Sequence, residues 1–252
     1  MGQLDGRVAI VTGGAKSIGK AFAMALARDG ATVAIGDVVD GTAAAEEIAA
    51  ATGQQTMARV MDVGSEPTVQ DFVLGVHSRY GRIDILVNNA ALFAELPRQR
   101  YTEISGALWD RIMQVNIKGP WLMTKHVAPH MVAAGYGKII TTGSETAYKG
   151  APGMLAYATS KAAILGMTRT LARELGPHGI CVNTLAPGLT ASESAQARPE
   201  VLANNERSIG RRAIPRTATE QDLVGTLVWL AGPGSDFVTG QTVAVGGGET
   251  ML

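Results

Sequence analysis

Seven short runs of apolar, β-forming residues alternate with longer segments of helical periodicity, and this rhythm constrains the fold more than any other feature. The runs lie at 7–12, 32–37, 55–63, 83–90, 137–144, 180–186 and 241–245. Continuous apolar runs are typical of strands buried on both faces of a parallel sheet. Strand alternating with helix predicts an α/β fold, a doubly wound parallel sheet of about seven strands with helices on both faces. No Pro/Ser-rich linker divides the chain, so we expect a single domain.

The charge balance argues against whole classes of partner. Lys plus Arg and Asp plus Glu each number 22 in the 252 residues, so the net charge is zero. Such a chain has no long-range attraction to nucleic acid or to an anionic membrane. No apolar run reaches the roughly 18 residues that span a bilayer, and the first residues resemble no targeting signal. We therefore expect a cytoplasmic protein with a small-molecule substrate, no nucleic-acid or membrane partner and no metal.

The first predicted strand leads into the segment 12–20, TGGAKSIGK, which opens a predicted helix. Glycines at such a junction allow backbone N–H groups to approach a pyrophosphate at the positive end of the helix. An ordinary tight turn is the alternative, since glycines at strand ends are common. The loop residues expected to bind a dinucleotide are Gly13, Lys16, Ser17, Ile18 and Gly19.

Acidic residues end the second and third predicted strands. Asp37 follows Gly19 by 18 residues, and a carboxylate there can accept both ribose hydroxyls of an adenosine. It also repels a 2′-phosphate, whereas Lys16 would attract one; we favour NAD, with NADP the less favoured cofactor. Asp62 and Val63 are expected near the adenine. For either aspartate, an ordinary helix N-cap is the alternative.

Polar residues also follow the fourth and fifth predicted strands. Asn89 and Ala90 leave the fourth, where an amide either pins neighbouring backbone or lines the cofactor. Ser144 ends the fifth strand, 13 residues before Tyr157. Tyr157 and Lys161 are four residues apart and so share a helix face. An ammonium beside a phenol should lower the phenol pKa and make the tyrosine a usable proton acceptor.

In this order and at these spacings, the motifs resemble the short-chain dehydrogenase/reductase family over essentially the whole chain. The family's TGxxxGxG loop maps onto Thr12, Gly13, Ser17 and Gly19, so a serine replaces the middle glycine. The family's NNAG is Asn88-Asn89-Ala90-Ala91, a second departure.

The resemblance implies a single Rossmann-type dehydrogenase domain over residues 1–252 and a catalytic tetrad of Asn116, Ser144, Tyr157 and Lys161. Tyr157 would take the alcohol proton while hydride passes to the nicotinamide, and Ser144 would hold the substrate oxygen. Lys161 would stabilise the phenolate and bind the nicotinamide ribose. Asn116 would hold a water that connects Lys161 to solvent.

Beyond the tetrad, the resemblance assigns the nicotinamide end of the cofactor to four residues after the sixth strand. These are Pro187, Gly188, Thr190 and Ser192, the last in place of the family's threonine. Family members commonly form tetramers through two long helices and the last strand, so we expect a homotetramer.

Three segments are expected to choose the substrate. Two of them contribute Arg98, Glu145, Thr146 and Lys149, and the third is a polar lid at about 189–216. The arginines of the lid are Arg198, Arg207, Arg211, Arg212 and Arg216. They could bind an anionic group, or serve only as a solvated lid or subunit contact.

The expected reaction is oxidation of a secondary alcohol, with a sugar or acidic sugar-like substrate as the specific hypothesis. A 3-oxoacyl-(carrier protein) reductase using NADP and a non-catalytic dinucleotide-binding protein are the alternatives.

Overall fold

All seven predicted strands are present in the computed structural model, which describes residues 2–93, 95–193 and 205–251. They form one parallel sheet in the order β3-β2-β1-β4-β5-β6-β7. The strands are β1 Val8–Thr12, β2 Thr32–Asp37, β3 Thr56–Val60, β4 Ile85–Asn88, β5 Gly137–Thr142, β6 Ile180–Pro187 and β7 Thr242–Val245. The predicted fold class is confirmed.

Helices connect the strands. They are α1 Ser17–Arg28, α2 Thr42–Thr52, α3 Glu66–Tyr80, α4 Gly106–Met113, α5 Gly119–Ala134, α6 Thr146–Lys149, α7 Leu155–Leu175 and α8 Gln221–Ala231. Residues 205–209 are also helical. Left-handed glycines end α2, α3 and α5, because only glycine adopts that conformation without a steric penalty.

The core lies on both faces of the sheet. On one face, α1, α2 and α8 bury residues such as Phe22, Ile48 and Leu227. On the other, α3 and α5 bury Phe72 and Leu122 among others. Burial on both faces explains why the central strands read as uninterrupted apolar runs.

The expectation of complete burial is wrong for the outer strands. β3 is half-buried to exposed along its length and β7 is half-buried, whereas β1, β4, β5 and β6 are buried throughout. Each outer strand has a hydrogen-bonding neighbour on one side only in the described sheet. A continuous apolar run therefore does not distinguish an edge strand from a central one.

The long helical pattern predicted from about residue 108 to 134 is interrupted. A π-helical segment, Gln114–Lys118, separates α4 from α5. Such bulges widen one turn and are frequent at functional sites. Within the described residues, no helix combines the length and hydropathy needed to cross a bilayer.

Candidate active site

The predicted site residues lie along the carboxyl edge of the sheet, on both sides of the point where strand order reverses. β1 pairs with β2 on one side and with β4 on the other, so the chain runs outward in both directions from this position. In open α/β sheets, ligands bind in the crevice at such a switch point.

The glycine loop between β1 and α1 is packed so closely that side chains cannot enter it. A Cβ on Gly19 would overlap the carbonyl oxygen of Gly13 and the amide of Asn89. Gly13 has φ +64°, and a Cβ there would lie 2.9 Å from Cα of Ala90. Gly13 and Gly19 thus exclude side chains where the loop meets the start of α1, which fits a dinucleotide pyrophosphate. The role of Ile18 toward the cofactor stays a prediction.

The backbone conformation of Ser17 explains why the family prefers glycine at this position. Among the described residues it is the one non-glycine residue with positive φ, at +52°. L-residues with a side chain pay a steric penalty in this left-handed region, whereas glycine does not. The departure from the motif therefore keeps the loop's backbone shape.

Asp37 is buried at the end of β2 and faces the glycine loop. One carboxylate oxygen accepts a hydrogen bond from the Ala15 N–H at 3.0 Å, and the other accepts from the Val39 N–H at 3.3 Å. α2 begins only at Thr42, with Gly41 as its N-cap, so the N-cap alternative for Asp37 is wrong. Lys16 is exposed.

Asp62 shapes the turn after β3 and does not cap a helix. It accepts from the Gly64 N–H at 2.8 Å and lies 3.6 Å from the Arg111 guanidinium, while Ser65 is the N-cap of α3. Val63 is buried and packs against Gly119 at the start of α5. The roles of Asp62 and Val63 toward adenine stay predictions.

Asn89 fixes the backbone of the glycine loop, one of the two roles considered for it. Its amide nitrogen donates to the carbonyls of Thr12 and Gly13, each at 3.2 Å. In return, the Thr12 hydroxyl accepts from the N–H groups of Asn89 and Ala90. The ends of β1 and β4 are therefore locked together at the switch point.

Tyr157, Lys161 and Ser144 converge where β5 meets α7. Both Tyr157 and Lys161 are buried, and the Lys161 ammonium donates to the carbonyl of Thr142 at 2.7 Å. Ser144 Oγ accepts from the Thr146 N–H at 3.2 Å and the Thr146 hydroxyl at 2.9 Å. The Ser144 side chain is also near enough to the Tyr157 hydroxyl to influence its pKa.

The prediction that Lys161 lowers the pKa of Tyr157 is wrong for the protein chain alone. Burial raises the pKa of Tyr157 to about 12, opposed only by the Ser144 side chain. Burial also lowers the pKa of Lys161 to about 8. The ammonium lies 5.8 Å from the centre of the phenol ring and is engaged by Thr142, so desolvation dominates both groups.

Asn116 lies in the π-helical segment and joins three elements. Its side-chain oxygen accepts from the Leu92 N–H at 2.8 Å, and its nitrogen donates to the Leu92 carbonyl at 3.2 Å and to Ser160 at 3.0 Å. Asn116 therefore links the loop after β4 to α7, where its partner Ser160 directly precedes Lys161. A water-binding role for it stays a prediction.

The turn after β6 packs onto the end of β7. The Gly188 N–H donates to the Val245 carbonyl, and the Pro187 carbonyl accepts from the Glu145 N–H, both at 3.0 Å. Thr190 and Ser192 are buried further along the same segment, and the Thr190 hydroxyl donates to the Gly188 carbonyl. Their contact with the nicotinamide end stays a prediction.

Three arginines considered for an anionic substrate are held by the protein itself. Arg98 is exposed and donates to the Pro152 carbonyl at 3.0 Å. Arg212 is buried and donates to the carbonyls of Leu189 and Arg216, while the Arg216 guanidinium binds both carboxylate oxygens of Asp222. Arg198 and the rest of 194–204 lie outside the described residues.

The arrangement is suited to proton transfer at a substrate oxygen. Ser144 and Tyr157 are neighbours, so a substrate oxygen placed beside both would meet two hydroxyl groups, and the phenol of Tyr157, whose pKa is raised, is in the form that donates a proton to a carbonyl oxygen. A nicotinamide dinucleotide bound along this edge of the sheet would supply the hydride chemistry. Lys161 brings positive charge to the same pocket, and the Thr142 carbonyl directs it.

Sequence reasoning missed several residues that build this geometry. Thr142 and Ser160 act on Lys161 and Asn116 through hydrogen bonds whose partners are distant in sequence. Phe93 packs on Tyr157 with ring centroids 4.9 Å apart. The sequence does contain a signal for Phe93, because it is the first aromatic residue after β4 and follows Asn89 by four residues.

The parallel sheet, the glycine loop and the Ser-Tyr-Lys arrangement define a dinucleotide-dependent oxidoreductase. A family model described as enoyl-(acyl carrier protein) reductase matches residues 13–250. Galactitol 2-dehydrogenase of Agrobacterium fabrum is 38% identical over 259 residues, and sorbitol dehydrogenase of Cereibacter sphaeroides is 37% identical over 260; each alignment covers 99% of both chains. The chain belongs to the short-chain dehydrogenase/reductase family.

Two further similarities bear on substrate and cofactor. A solved structure assigned as an NAD(P)-dependent gluconate 5-dehydrogenase of Beutenbergia cavernae, with NADP at low occupancy, superposes with TM-score 0.88 at 35% identity, covering 97% of this chain and 96% of that one. A 3-oxoacyl-[acyl-carrier-protein] reductase of Thermotoga maritima is 33% identical over 247 residues, with 98% of each chain covered. The protein is an oxidoreductase that uses a nicotinamide cofactor and acts on the CH–OH group of secondary alcohols.

Proposed function

We propose that this enzyme is an NAD-dependent dehydrogenase whose substrate is a neutral polyol or sugar alcohol. The observation that carries the proposal is the buried carboxylate of Asp37 beside the glycine loop. Tyr157 exchanges the proton of the alcohol, with Ser144 and Lys161 as its partners, and Asn116 supports Lys161 from the π-helical segment.

Asp37 supports NAD over NADP on electrostatic grounds. Its two oxygens already accept backbone N–H groups from the loop and from residue 39, so the carboxylate is held in place. A 2′-phosphate approaching it would meet charge repulsion in a partly desolvated site. The exposed Lys16 can turn toward solvent and compensates only weakly.

The neutral polyol is supported by the engaged arginines and by the relatives. Arg98, Arg212 and Arg216 each bind a carbonyl or carboxylate of this chain, which leaves fewer arginines to bind an anionic substrate. The sorbitol and galactitol dehydrogenases, by their names, act on neutral polyols.

A cofactor-linked screen tests the proposal. We expect NADH formation with sorbitol or galactitol, weaker activity with gluconate, and a lower Kd for NAD than for NADP. Simple cyclic and aryl alcohols serve as comparison substrates of the same reaction class. Preference for gluconate, or tighter binding of NADP, would overturn the respective part of the proposal.

The second candidate is a 3-oxoacyl reductase working with NADPH, which the Thermotoga maritima relative favours. Asp37 disfavours its usual cofactor. NADPH oxidation with an acetoacetyl thioester, faster than any NAD-linked polyol oxidation, would establish this candidate in place of the first.

We also propose a homotetramer in the cytoplasm, formed through the long helices and the last strand. Large apolar side chains are exposed on these elements, namely Trp121 on α5 and Leu155 on α7, each more than 40% exposed in the single chain. Sedimentation of the purified protein would test the assembly.

A further inference from the structure

A line of polar side chains connects the catalytic strand end to the lid, whose described residues are 189–193 and 205–216. The side chains of Glu145, Glu249 and Ser208 in this line are buried, whereas that of Lys149 is 30% exposed. Lys149 Nζ lies 3.4 Å from Glu145 Oε2 and 2.8 Å from Glu249 Oε1. The second oxygen of Glu249 accepts a hydrogen bond from the Ser208 hydroxyl. These four residues, Glu145, Lys149, Glu249 and Ser208, are called the Lys149 bridge below.

One end of the Lys149 bridge lies directly beside the catalytic residues. Glu145 follows Ser144 in the chain, and only 1% of its side chain is exposed. Its carboxylate fills the space between two turns, since a Cβ on Gly246 would overlap it and a Cβ on Gly188 would lie 3.0 Å from it. Glu145 therefore touches the segments that leave β6 and β7.

The other end of the Lys149 bridge, at Glu249, lies near Arg212, which connects the first and last described parts of the lid. Arg212 donates to the carbonyl of Leu189 at 2.5 Å and to that of Arg216 at 2.7 Å, so it ties the beginning of the lid to its end. Although burial opposes it, hydrogen bonds from Lys149 and Ser208 and the charges of Lys149 and Arg212 lower the pKa of Glu249.

Lys149 contacts the carboxylates at both ends of the bridge, Glu145 and Glu249. Burial raises the pKa of Glu145, and the charge of Lys149 opposes that rise. Without Lys149, two carboxylates that are 1% and 5% exposed would lose the cation between them. Removing the cation that two buried carboxylates share leaves their charge uncompensated, and we expect the carboxylates to move apart or to take up water.

We propose that Lys149 is a positioning residue that joins the lid to the strand end carrying Ser144, and that it acts on substrate affinity without touching substrate. The sequence predicted direct substrate contact for Lys149, whereas its ammonium is engaged by two carboxylates of the chain. The kinetic part of the proposal rests on the proposed function, because it needs a substrate whose KM can be measured.

Steady-state kinetics of Lys149→Met tests the proposal. We expect KM to rise about tenfold for a neutral polyol and for gluconate alike, with kcat and the Kd for NAD changed by less than about threefold. Lys149→Arg, which keeps the charge, should recover most of the loss. The matched control is Lys125→Met, which breaks an exposed Lys125–Glu66 pair at 2.6 Å between α5 and α3 and should leave KM unchanged.

A double-mutant cycle separates positioning from contact. Ser208→Ala alone should raise KM about threefold, and it should add nothing in the Lys149→Met background, because the connection is already broken. Additive effects would overturn the proposal. A larger KM increase for gluconate than for the polyol would also overturn it and would establish direct contact instead.

Limited proteolysis tests the proposal without activity. Arg207 and Arg211 are exposed trypsin sites in the lid, and we expect cleavage after them to be several-fold faster in Lys149→Met than in the wild type or Lys125→Met. If Lys149→Met fails to fold, Ser208→Ala carries the same measurement. Wild-type cleavage and wild-type KM in these variants would overturn the proposal, whereas absence of wild-type turnover with every alcohol would reject only the proposed function.

Discussion

The two halves of the active site are built in different ways. In the cofactor half, at the ends of β1 and β2, side chains bind main-chain atoms of the glycine loop: the Asn89 amide donates to the carbonyls of residues 12 and 13, and the Asp37 carboxylate accepts from the Ala15 N–H. The substrate half, at the ends of β5 and β6, depends on side chains from distant segments, such as Lys149 with Glu249 and Arg212 with Leu189. The contacts of the cofactor half are made by residues of recognisable motifs at strand ends, although their partners lie 22 to 77 residues away in the chain, whereas Lys149 and Arg212 belong to no such motif.

We expect the largest effect from a variant that removes the proton-transferring group of the substrate half and leaves the cofactor half intact. Tyr157→Phe deletes the proton-transferring oxygen while keeping the ring that packs on Phe93. We expect kcat to fall about 1,000-fold, within the range typical of general acid–base groups. The Kd for NAD should stay within about threefold, as measured by fluorescence titration.

Tyr101→Phe is the matched control for this variant, because its side chain is 77% exposed and it should have wild-type kinetics. Turnover at wild-type rates in Tyr157→Phe would refute the catalytic assignment.

The converse variant damages the cofactor half alone. A methyl group at residue 19 would overlap the Gly13 carbonyl, so Gly19→Ala must shift the loop backbone. We expect the Kd for NAD to rise about 100-fold, with the loss appearing in kcat/KM for NAD. Gly106→Ala on α4, where a Cβ meets nothing within 4 Å, is the control and should bind NAD normally. Normal NAD affinity in Gly19→Ala would show that the loop does not set the cofactor half.

Lys161 lies between the halves, and its burial makes stability depend on pH. Burial lowers its pKa from 10.5 to about 8 in the folded protein. Between these values the unfolded chain holds the proton and the folded chain does not, so wild-type stability rises with pH relative to Lys161→Met. The difference in the free energy of unfolding between the two proteins should change by about 3 kcal/mol over this window.

Urea unfolding of both proteins at pH 8 and at pH 10.5 measures this change. Parallel stability curves for wild type and Lys161→Met would mean that Lys161 is not desolvated in the folded protein.

Much of the fold was predictable because each strand carries its own signal. The apolar runs located all seven strands, and the predicted Tyr157–Lys161 pair does share a face of α7. Edge position was not predictable, because β3 and the central strands have similar composition while their neighbours are decided by the sheet order.

The cofactor half was more predictable than the substrate half for the same reason. Asp37 and the glycines are recognisable from spacing along the chain. The partners of Lys149 and Arg212 are not, since Lys149 and Glu249 are 100 residues apart in sequence and 2.8 Å apart in space. The pKa of Tyr157 was predicted in the wrong direction because four-residue spacing reveals a shared helix face but neither the burial nor the Thr142 carbonyl that holds Lys161.

The smallest expected effect concerns the one residue of the cofactor half that departs from the family motif. Ser17 is left-handed, with φ +52°, which costs a non-glycine residue about 1–2 kcal/mol. Glycine removes that cost but gains entropy in the unfolded chain, about 0.5–1 kcal/mol in the opposite direction. Ser17→Gly should therefore raise the free energy of unfolding by up to about 1.5 kcal/mol while NAD affinity stays within about threefold.

The same substitution at Ser78, exposed in the last turn of α3, is the matched control and should lower the free energy of unfolding by about 0.5 kcal/mol. Urea unfolding and NAD titration of the two variants decide between two roles for the Ser17 side chain. Opposite signs of stability change, with NAD affinity preserved, mean that backbone shape is what this position contributes. A large loss of NAD affinity in Ser17→Gly would instead show that the Ser17 hydroxyl itself binds the cofactor.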